Sequence, residues 1–241
     1  MEALLDSLTY LKWGFLAFQL FFVGLVVAVV RVDSLRKMIG EGAVLLVTAH
    51  PDDESMFFLP TIVSLAGSHS LHLLCLSTGN ADGLGRVREK ELQRAGTLLR
   101  FTHTTALDDP RLQDGMTTQW DAAVVAEVVQ SYVSEHSIST VITFDAQGVS
   151  GHINHRAVQN GLKRITTVKK FELQSTGLLR KYMGIADLMQ SLGEDILFVN
   201  VSLGLAWRAM ATHHSQFVWY RKLFVLFSRY GYINTLKPVA S

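Results

Sequence analysis

The chain has one cysteine in 241 residues, Cys75, so no disulfide can form within a monomer. Cys75 lies in the apolar run Leu71–Leu76 and reads as a small buried hydrophobe, at home in a reducing compartment. Charge of one sign is equally scarce. Twenty-two basic residues stand against 21 acidic ones, which leaves no bulk electrostatic case for nucleic acid as a partner. No internal repeat, low-complexity tract or domain linker interrupts the chain, and its length fits one sizeable domain with a short appendage.

That appendage is a long hydrophobic run. Trp13 to Val30 carries no charge and is interrupted only by Gly14, Gln19 and Gly24. Its length is at the lower end for a spanning helix and exceeds the core of a usual signal peptide. Lys12 is the only basic residue before it, whereas Arg31, Arg36 and Lys37 follow. The positive-inside rule then puts the N-terminus outside and the rest of the chain in the cytoplasm. Glu2 and Asp6 are out of place in a cleaved leader, so a retained anchor is favoured. We expect residues 1–40 to be a single-pass membrane anchor, spanning at about 13–30, and residues 41–241 to be the working domain.

From residue 43 apolar strands alternate with helices. Strands are predicted at 43–49, 71–77, 104–107 and 140–144, with later, edge-lying ones at 171–175 and 196–201. Helices are predicted near 55–66, 86–99, 119–135 and 152–163, and an irregular polar loop over 108–118. Such alternation implies parallel strands joined by right-handed crossovers: an α/β, Rossmann-like three-layer sandwich with a mainly parallel sheet, preceded by one N-terminal transmembrane helix.

Two of the strands end in chemistry. Ala43–Ala49 runs into His50-Pro51-Asp52-Asp53-Glu54, where Pro51 stops the strand and turns the chain. Val141–Asp145 leads through Gly148 and Gly151 into His152-Ile153-Asn154-His155. Either cluster alone is ordinary turn chemistry about as often as not; each behind a central strand, together, they make a site. His50 and Asp53 can reach one ion from a single turn, and one histidine of the His152/His155 pair completes a set of three that leaves a position for water. Zinc suits two imidazoles and a carboxylate, with other divalent metals open. Asp52, beside the ligands, remains free to take a proton, and the unused histidine can steady an oxyanion or protonate a leaving amine. Arg88, where a glycine-rich loop becomes a helix, can meet a phosphate or a sugar hydroxyl as readily as solvent.

The pair of motifs, Ala-His-Pro-Asp-Asp-Glu and Gly-His-x-x-His, resembles that of the zinc-dependent de-N-acetylases that include PIG-L and the LmbE-like proteins. Further likeness to the eukaryotic branch is seen in Ser77-Thr78-Gly79-Asn80, Arg88–Leu92, Thr143–His152 and Leu226–Tyr230. The resemblance implies His50, Asp53 and His155 as zinc ligands, Asp52 as base, His152 as support for the tetrahedral intermediate and Arg88 as a substrate contact. It also implies removal of acetate from N-acetylglucosaminyl-phosphatidylinositol, a membrane glycolipid, in the second step of GPI-anchor synthesis on the cytoplasmic face of the endoplasmic reticulum. His213, Ser215 and Gln216 match a family tail motif and read as structural as readily as functional, whereas His69, His72, His103 and His136 match no motif and are expected to be surface or packing residues. Ser150 stands where bacterial relatives often carry an aromatic residue. Phe217–Tyr232 mixes aromatic and basic residues, as a helix at a bilayer surface or one packed on the domain would.

Two rival readings stand beside this one. A two-histidine, one-carboxylate set is also the triad of non-haem iron oxygenases, but those run as successive β-strands. A non-catalytic membrane adaptor would need no intact set of ligands plus base. Nothing in the sequence identifies a protein partner or an oligomeric state.

Overall fold

The structure is a computed structural model that describes residues 2–30, 32–115 and 117–239, with the backbone alone at 2–8, 26–30, 32 and 33. Seven strands form one sheet: β1 (Ala43–Thr48), β2 (Ser70–Cys75), β3 (His103–Ala106), β4 (Ile138–Phe144), β5 (Lys169–Leu173), β6 (Ile196–Val199) and β7 (Ile233–Val239). Their spatial order is β3-β2-β1-β4-β5-β7-β6. The first five are mutually parallel, whereas β7 runs antiparallel to both β5 and β6. Strand order reverses between β1 and β4, so the crevice at their carboxyl ends is where an open α/β sheet binds its ligand.

Sequence accounts for this centre directly. Val44–Thr48 of β1 is buried on both faces, as a continuous apolar strand must be when helices cover both sides. On one face the core gathers Val44, Leu46, Leu73 and Ile142 with Ile62, Leu92 and Met210 from the covering helices. On the other, Leu45, Val47, Leu74 and Val141 meet Val125 and Val129 of helix Ala122–Glu135 and Val158 of helix Ile153–Leu162. The expected three-layer sandwich is therefore present, with a mixed sheet.

Several boundaries differ from expectation, each for a local reason. The helix expected at 55–66 is two, Asp53–Phe57 and Leu59–Leu65, because Pro60 in the first turn of the second has no N–H to continue the ladder. The helix expected from 119 begins at Ala122, since the Asp121 side chain caps it by accepting from Ala123 N at 2.8 Å. Strand β5 is interior rather than edge-lying, because the unforeseen β7 inserts between it and β6.

The N-terminal run is helical over Glu2–Val30. Among the described residues, however, no helix is long and apolar enough to cross a membrane. Part of the expected span, the side chains at 26–30, lies outside the described residues. Tyr10, Trp13, Phe15 and Phe18 are exposed, whereas Phe21 and Leu25 pack against Leu188, Leu197, Tyr232 and Ile233. Leu35 and Ile39, of helix Val32–Ile39, lie in the main core, so the domain draws on residues before 40.

Candidate active site

Beyond β1, His50-Pro51 leads into Asp52, whose φ of 111° is a left-handed conformation uncommon for a residue with a side chain. Glu54 holds the turn from below: its Oε2 accepts from Asp52 N at 3.1 Å, and its Oε1 accepts from Ser55 Oγ at 2.6 Å. His213 Nε2 reaches the same Oε1 at 2.6 Å, both side chains being fully buried. Beyond β4, Gly148 and Gly151 take positive φ, and so does Val149 at 60°, an outlier for a β-branched residue. Val149 is secured at both ends, its N–H donating to Ser175 Oγ (2.8 Å) and its carbonyl accepting from Lys181 Nζ (2.6 Å). A Cβ at position 148 would meet His155 Cβ at 2.8 Å, so glycine there lets the histidine come close. His152 caps helix Ile153–Leu162, with Nδ1 accepting from Asn154 N at 3.2 Å.

The two turns converge. One ligand atom each of His50, His152 and His155 lies within 4.8 Å of the others, and the ring centroids are 4.7 Å (50–152), 5.3 Å (50–155) and 5.1 Å (152–155) apart. Asp53 lies beneath: Oδ1 is 3.1 Å from His155 Nε2 and Oδ2 is 3.7 Å from His50 Nδ1. Oδ2 also accepts from His50 N at 2.8 Å and Ala49 N at 3.1 Å. His155 Nδ1 lies 3.0 Å from the Gly148 carbonyl, and its ring stacks on Phe144 with centroids 4.1 Å apart. That orients Nε2 toward the other histidines, as a backbone carbonyl behind a metal-bound imidazole does.

The electrostatics suit a cation. Burial pushes the Asp53 carboxyl up, but the His155 and His50 imidazoles outweigh it and hold the group well below the usual carboxylate range. Burial lowers His155 and Asp53 more than compensates, leaving it raised. His152, half-buried beside His50 and His155, is pushed down to about 4 and is neutral at pH 7. His50 Nε2 is buried without a well-formed hydrogen bond, although Asp114 Oδ1 is 3.0 Å away. A buried nitrogen left in that state, beside two further imidazoles and an anionic carboxylate, fits a divalent metal of the zinc class.

Two guanidinium groups flank Asp52. Arg88 donates from Nη1 to the Gly79 carbonyl (3.0 Å) and from Nη2 to the Pro51 carbonyl (2.7 Å), with Asp52 Oδ2 and Asp114 Oδ2 each 3.6 Å away. Glycine at 79 suits both its φ of 68° and the guanidinium, which a Cβ there would meet at 2.5 Å and displace. Arg221, on helix Trp219–Phe227, contacts Asp52 Oδ2 directly. Burial lowers its pKa to about 10, so it stays cationic at neutral pH. All the predicted site residues (His50, Asp52, Asp53, Arg88, His152 and His155) line one pocket of about 710 Å³. Its far wall is apolar, formed by Tyr182, Leu223, Phe224 and Phe227.

Sequence reasoning passed over Asp114 and Arg221, which sit in this pocket, and left Glu54 and His213 without roles. Asp114 follows β3, so the rule that ligands gather at strand carboxyl ends pointed to its loop. Nothing local marked Arg221.

Comparison with known proteins places the chain in a family. The family model described as PIG-L: GlcNAc-PI de-N-acetylase matches residues 45–166. A probable N-acetylglucosaminyl-phosphatidylinositol de-N-acetylase of Schizosaccharomyces pombe is 41% identical over 223 residues, covering 85% of this chain and 90% of that protein. The N-acetylglucosaminyl-phosphatidylinositol de-N-acetylase of Bos taurus is 41% identical over 211 residues, covering 82% of this chain and 83% of its own. Among solved structures, the N,N'-diacetylchitobiose deacetylase of Pyrococcus horikoshii superposes with a TM-score of 0.61 over 82% of this chain and 83% of that one, at 15% identity, a likeness of fold. With its two motif turns assembled at the sheet's switch point and relatives of this identity along most of its length, the chain belongs to the PIG-L family of GlcNAc-PI de-N-acetylases.

Proposed function

We propose that this chain hydrolyses the N-acetyl group of N-acetylglucosaminyl-phosphatidylinositol, giving glucosaminyl-phosphatidylinositol and acetate, the second step of GPI-anchor biosynthesis. The observation that carries this reading is the convergence of three imidazoles and two carboxylates in one pocket with a cationic flank and an apolar wall.

His50, Asp53 and His155 would hold the metal, and His152, in the same triangle of imidazoles, is the alternative third ligand. A bound zinc ion supplies Lewis acidity toward the acetyl carbonyl and lowers the pKa of water to about 7. Asp52 accepts the proton as water oxygen bonds to the carbonyl carbon, and it returns that proton to nitrogen as the C–N bond breaks. His152, neutral at pH 7, donates an N–H to the developing oxyanion. Arg88 lines the pocket, but two of its N–H groups are engaged by carbonyls, so it chiefly braces the turn that carries Asp52. Arg221 is the guanidinium best placed to leave Asp52 for the phosphodiester of the substrate.

The lipid would lie along the apolar wall. Next to it, Trp219, Tyr220, Leu223 and Phe227 are exposed on the helix Trp219–Phe227, a surface suited to the headgroup region of a bilayer. Together with the exposed aromatics of helix Glu2–Val30, it would keep the pocket mouth at the membrane of the endoplasmic reticulum, facing the cytoplasm as the flanking charges favour.

The test is acetate release from N-acetylglucosaminyl-phosphatidylinositol in mixed micelles by purified, zinc-loaded protein. Expected is release that stops on chelation and returns with zinc. A folded, zinc-loaded protein releasing no acetate would overturn the reading.

A further inference from the structure

A second group of three histidines sits at a distance from the catalytic turn. His72 is on β2, His103 opens β3, and His136 is the C-cap of helix Ala122–Glu135. His72 and His103 are register partners on neighbouring parallel strands, so their side chains leave the same face of the sheet. His136 completes the triangle from the helix packed on that face. One ligand atom from each lies within 4.8 Å of the others. Their ring centroids are 4.5 Å (72–103), 5.3 Å (72–136) and 5.3 Å (103–136) apart. The catalytic triangle has sides of 4.7, 5.3 and 5.1 Å. The two are nearly superimposable in size.

We propose that His72, His103 and His136 form a second binding site for a divalent transition metal of the zinc class, separate from the catalytic centre. His72 pairs in register with Leu45, so about 10 Å of strand, from Leu45 to Thr48, and the start of the catalytic turn lie between the two sites.

The environment favours a cation over a chance cluster of rings. His72 is buried, with Tyr132 Oη 3.3 Å from Nδ1 and Ser70 Oγ 3.3 Å from Nε2. Whichever hydroxyl keeps its nitrogen, the ring is oriented and the other nitrogen can turn a lone pair to a metal. Burial and the two neighbouring imidazoles push His72 down to about 4, so it offers a neutral ring at physiological pH. The C-terminal carbonyls of helix Ala122–Glu135 put partial negative charge beside His136, and Glu135 Oε1 lies 3.9 Å from His136 Nε2. His103 is exposed, giving entry from solvent and leaving outer positions for water. Imidazole ligands of this number select zinc, copper or nickel over magnesium or calcium.

The experiment uses the full chain in detergent, stripped of metal by chelation, given a single equivalent of zinc for the catalytic centre and then titrated with Co2+, with metal content and visible d–d absorption as readouts. Wild type should take up about one further equivalent of Co2+ with a nitrogen-ligand spectrum. A double variant, His103→Gln with His136→Gln, should lose that uptake while keeping its circular dichroism and its acetate release, since neither side chain is fully buried or near the pocket. His155→Ala, which removes a catalytic ligand, should keep it. Equal uptake by the double variant, no further uptake by wild type, or loss of uptake in His155→Ala would each overturn the proposal. None of these outcomes depends on which substrate the catalytic site accepts.

Discussion

His213 Nε2 and Glu54 Oε1 meet at 2.6 Å where neither side chain touches solvent. The third acidic residue of the motif turn therefore serves as a strut: it ties the end of helix Leu203–Thr212 to the backbone of Asp52. His213→Ala should leave a buried carboxylate without its partner, at a cost of about 3–5 kcal/mol. Glu54→Gln, which keeps an acceptor for Asp52 N, should cost less. Urea titrations of the two variants check the order, and the reverse ranking would remove Glu54 from this role.

Metal content separates ligands from base. Asp52→Asn should retain zinc and fold but lose roughly a hundredfold or more in rate. His155→Ala should lose most of the catalytic zinc. Asp53→Asn and His152→Asn, measured side by side, decide which of the two is the third ligand. If Asp52→Asn is the variant that loses zinc, the two aspartates exchange roles.

Arg221 contacts Asp52, and Arg88 braces the same turn. Arg221→Ala should raise KM for the phosphate-bearing glycolipid about tenfold or more, the scale of a lost charged contact, and leave KM for a phosphate-free N-acetylglucosamine analogue little changed. Equal changes on both substrates would show that Arg221 serves Asp52 alone.

Truncations at the N-terminus should depend on where the cut falls. Leu35 and Ile39 are 4% and 0% exposed, each worth about 1.5–3 kcal/mol when buried. Deleting residues 1–40 should thus be costlier by several kcal/mol than deleting 1–33, which keeps both. Thermal midpoints of the two proteins in the same detergent give the comparison, and equal midpoints would contradict it.

Acid should destabilise the metal-free protein in a defined window. Burial, aided by neighbouring imidazoles, lowers both His72 and His152 to about 4. An unfolded histidine takes up its proton near 6.5, so between about pH 6.5 and 4 the unfolded chain binds more protons than the folded one. Stability from these groups is fully present above that window and falls as pH falls through it. The thermal midpoint of wild type should drop more steeply there than that of a His72→Gln, His152→Gln variant. Parallel slopes would count against both shifts.

What was legible in the sequence follows from locality. Strand β1 is apolar up to Thr48 and β4 ends in the mostly apolar Val141–Phe144, with His50 and Asp53 directly after the first and His152 and His155 across a glycine-containing turn from the second. Strand β7 was hidden because Asn234, Thr235, Lys237 and Pro238 break its apolar pattern. Asn234 is nonetheless fully buried, accepting from Thr61 Oγ1 at 2.8 Å and donating to the Phe57 carbonyl at 2.8 Å. Asp114, Arg221 and His213 reach the site from irregular or distant segments, where only packing brings them in. Asn200-Val201-Ser202 shows the converse: by its pattern of Asn, any residue but Pro, then Ser it is an acceptor sequence for N-glycosylation. Asn200 Nδ2 donates to the Gly231 carbonyl at 2.9 Å inside the fold, so a missing glycan there would not report which side of a membrane the domain faces.

Strand β6 joins the sheet only through β7, which follows it in the chain. A nascent polypeptide that has just made Ile196–Val199 holds a four-residue apolar strand with no partner, beside an equally unpaired edge on β5. Quality control must shield both until residues 233–239 arrive and zip them together. The same strand delivers Asn234 to the back of the helices behind the catalytic turn. A premature stop anywhere between residues 200 and 232 would therefore yield a chain with every metal-binding motif intact and two sticky edges, fated for chaperones and degradation rather than for low activity.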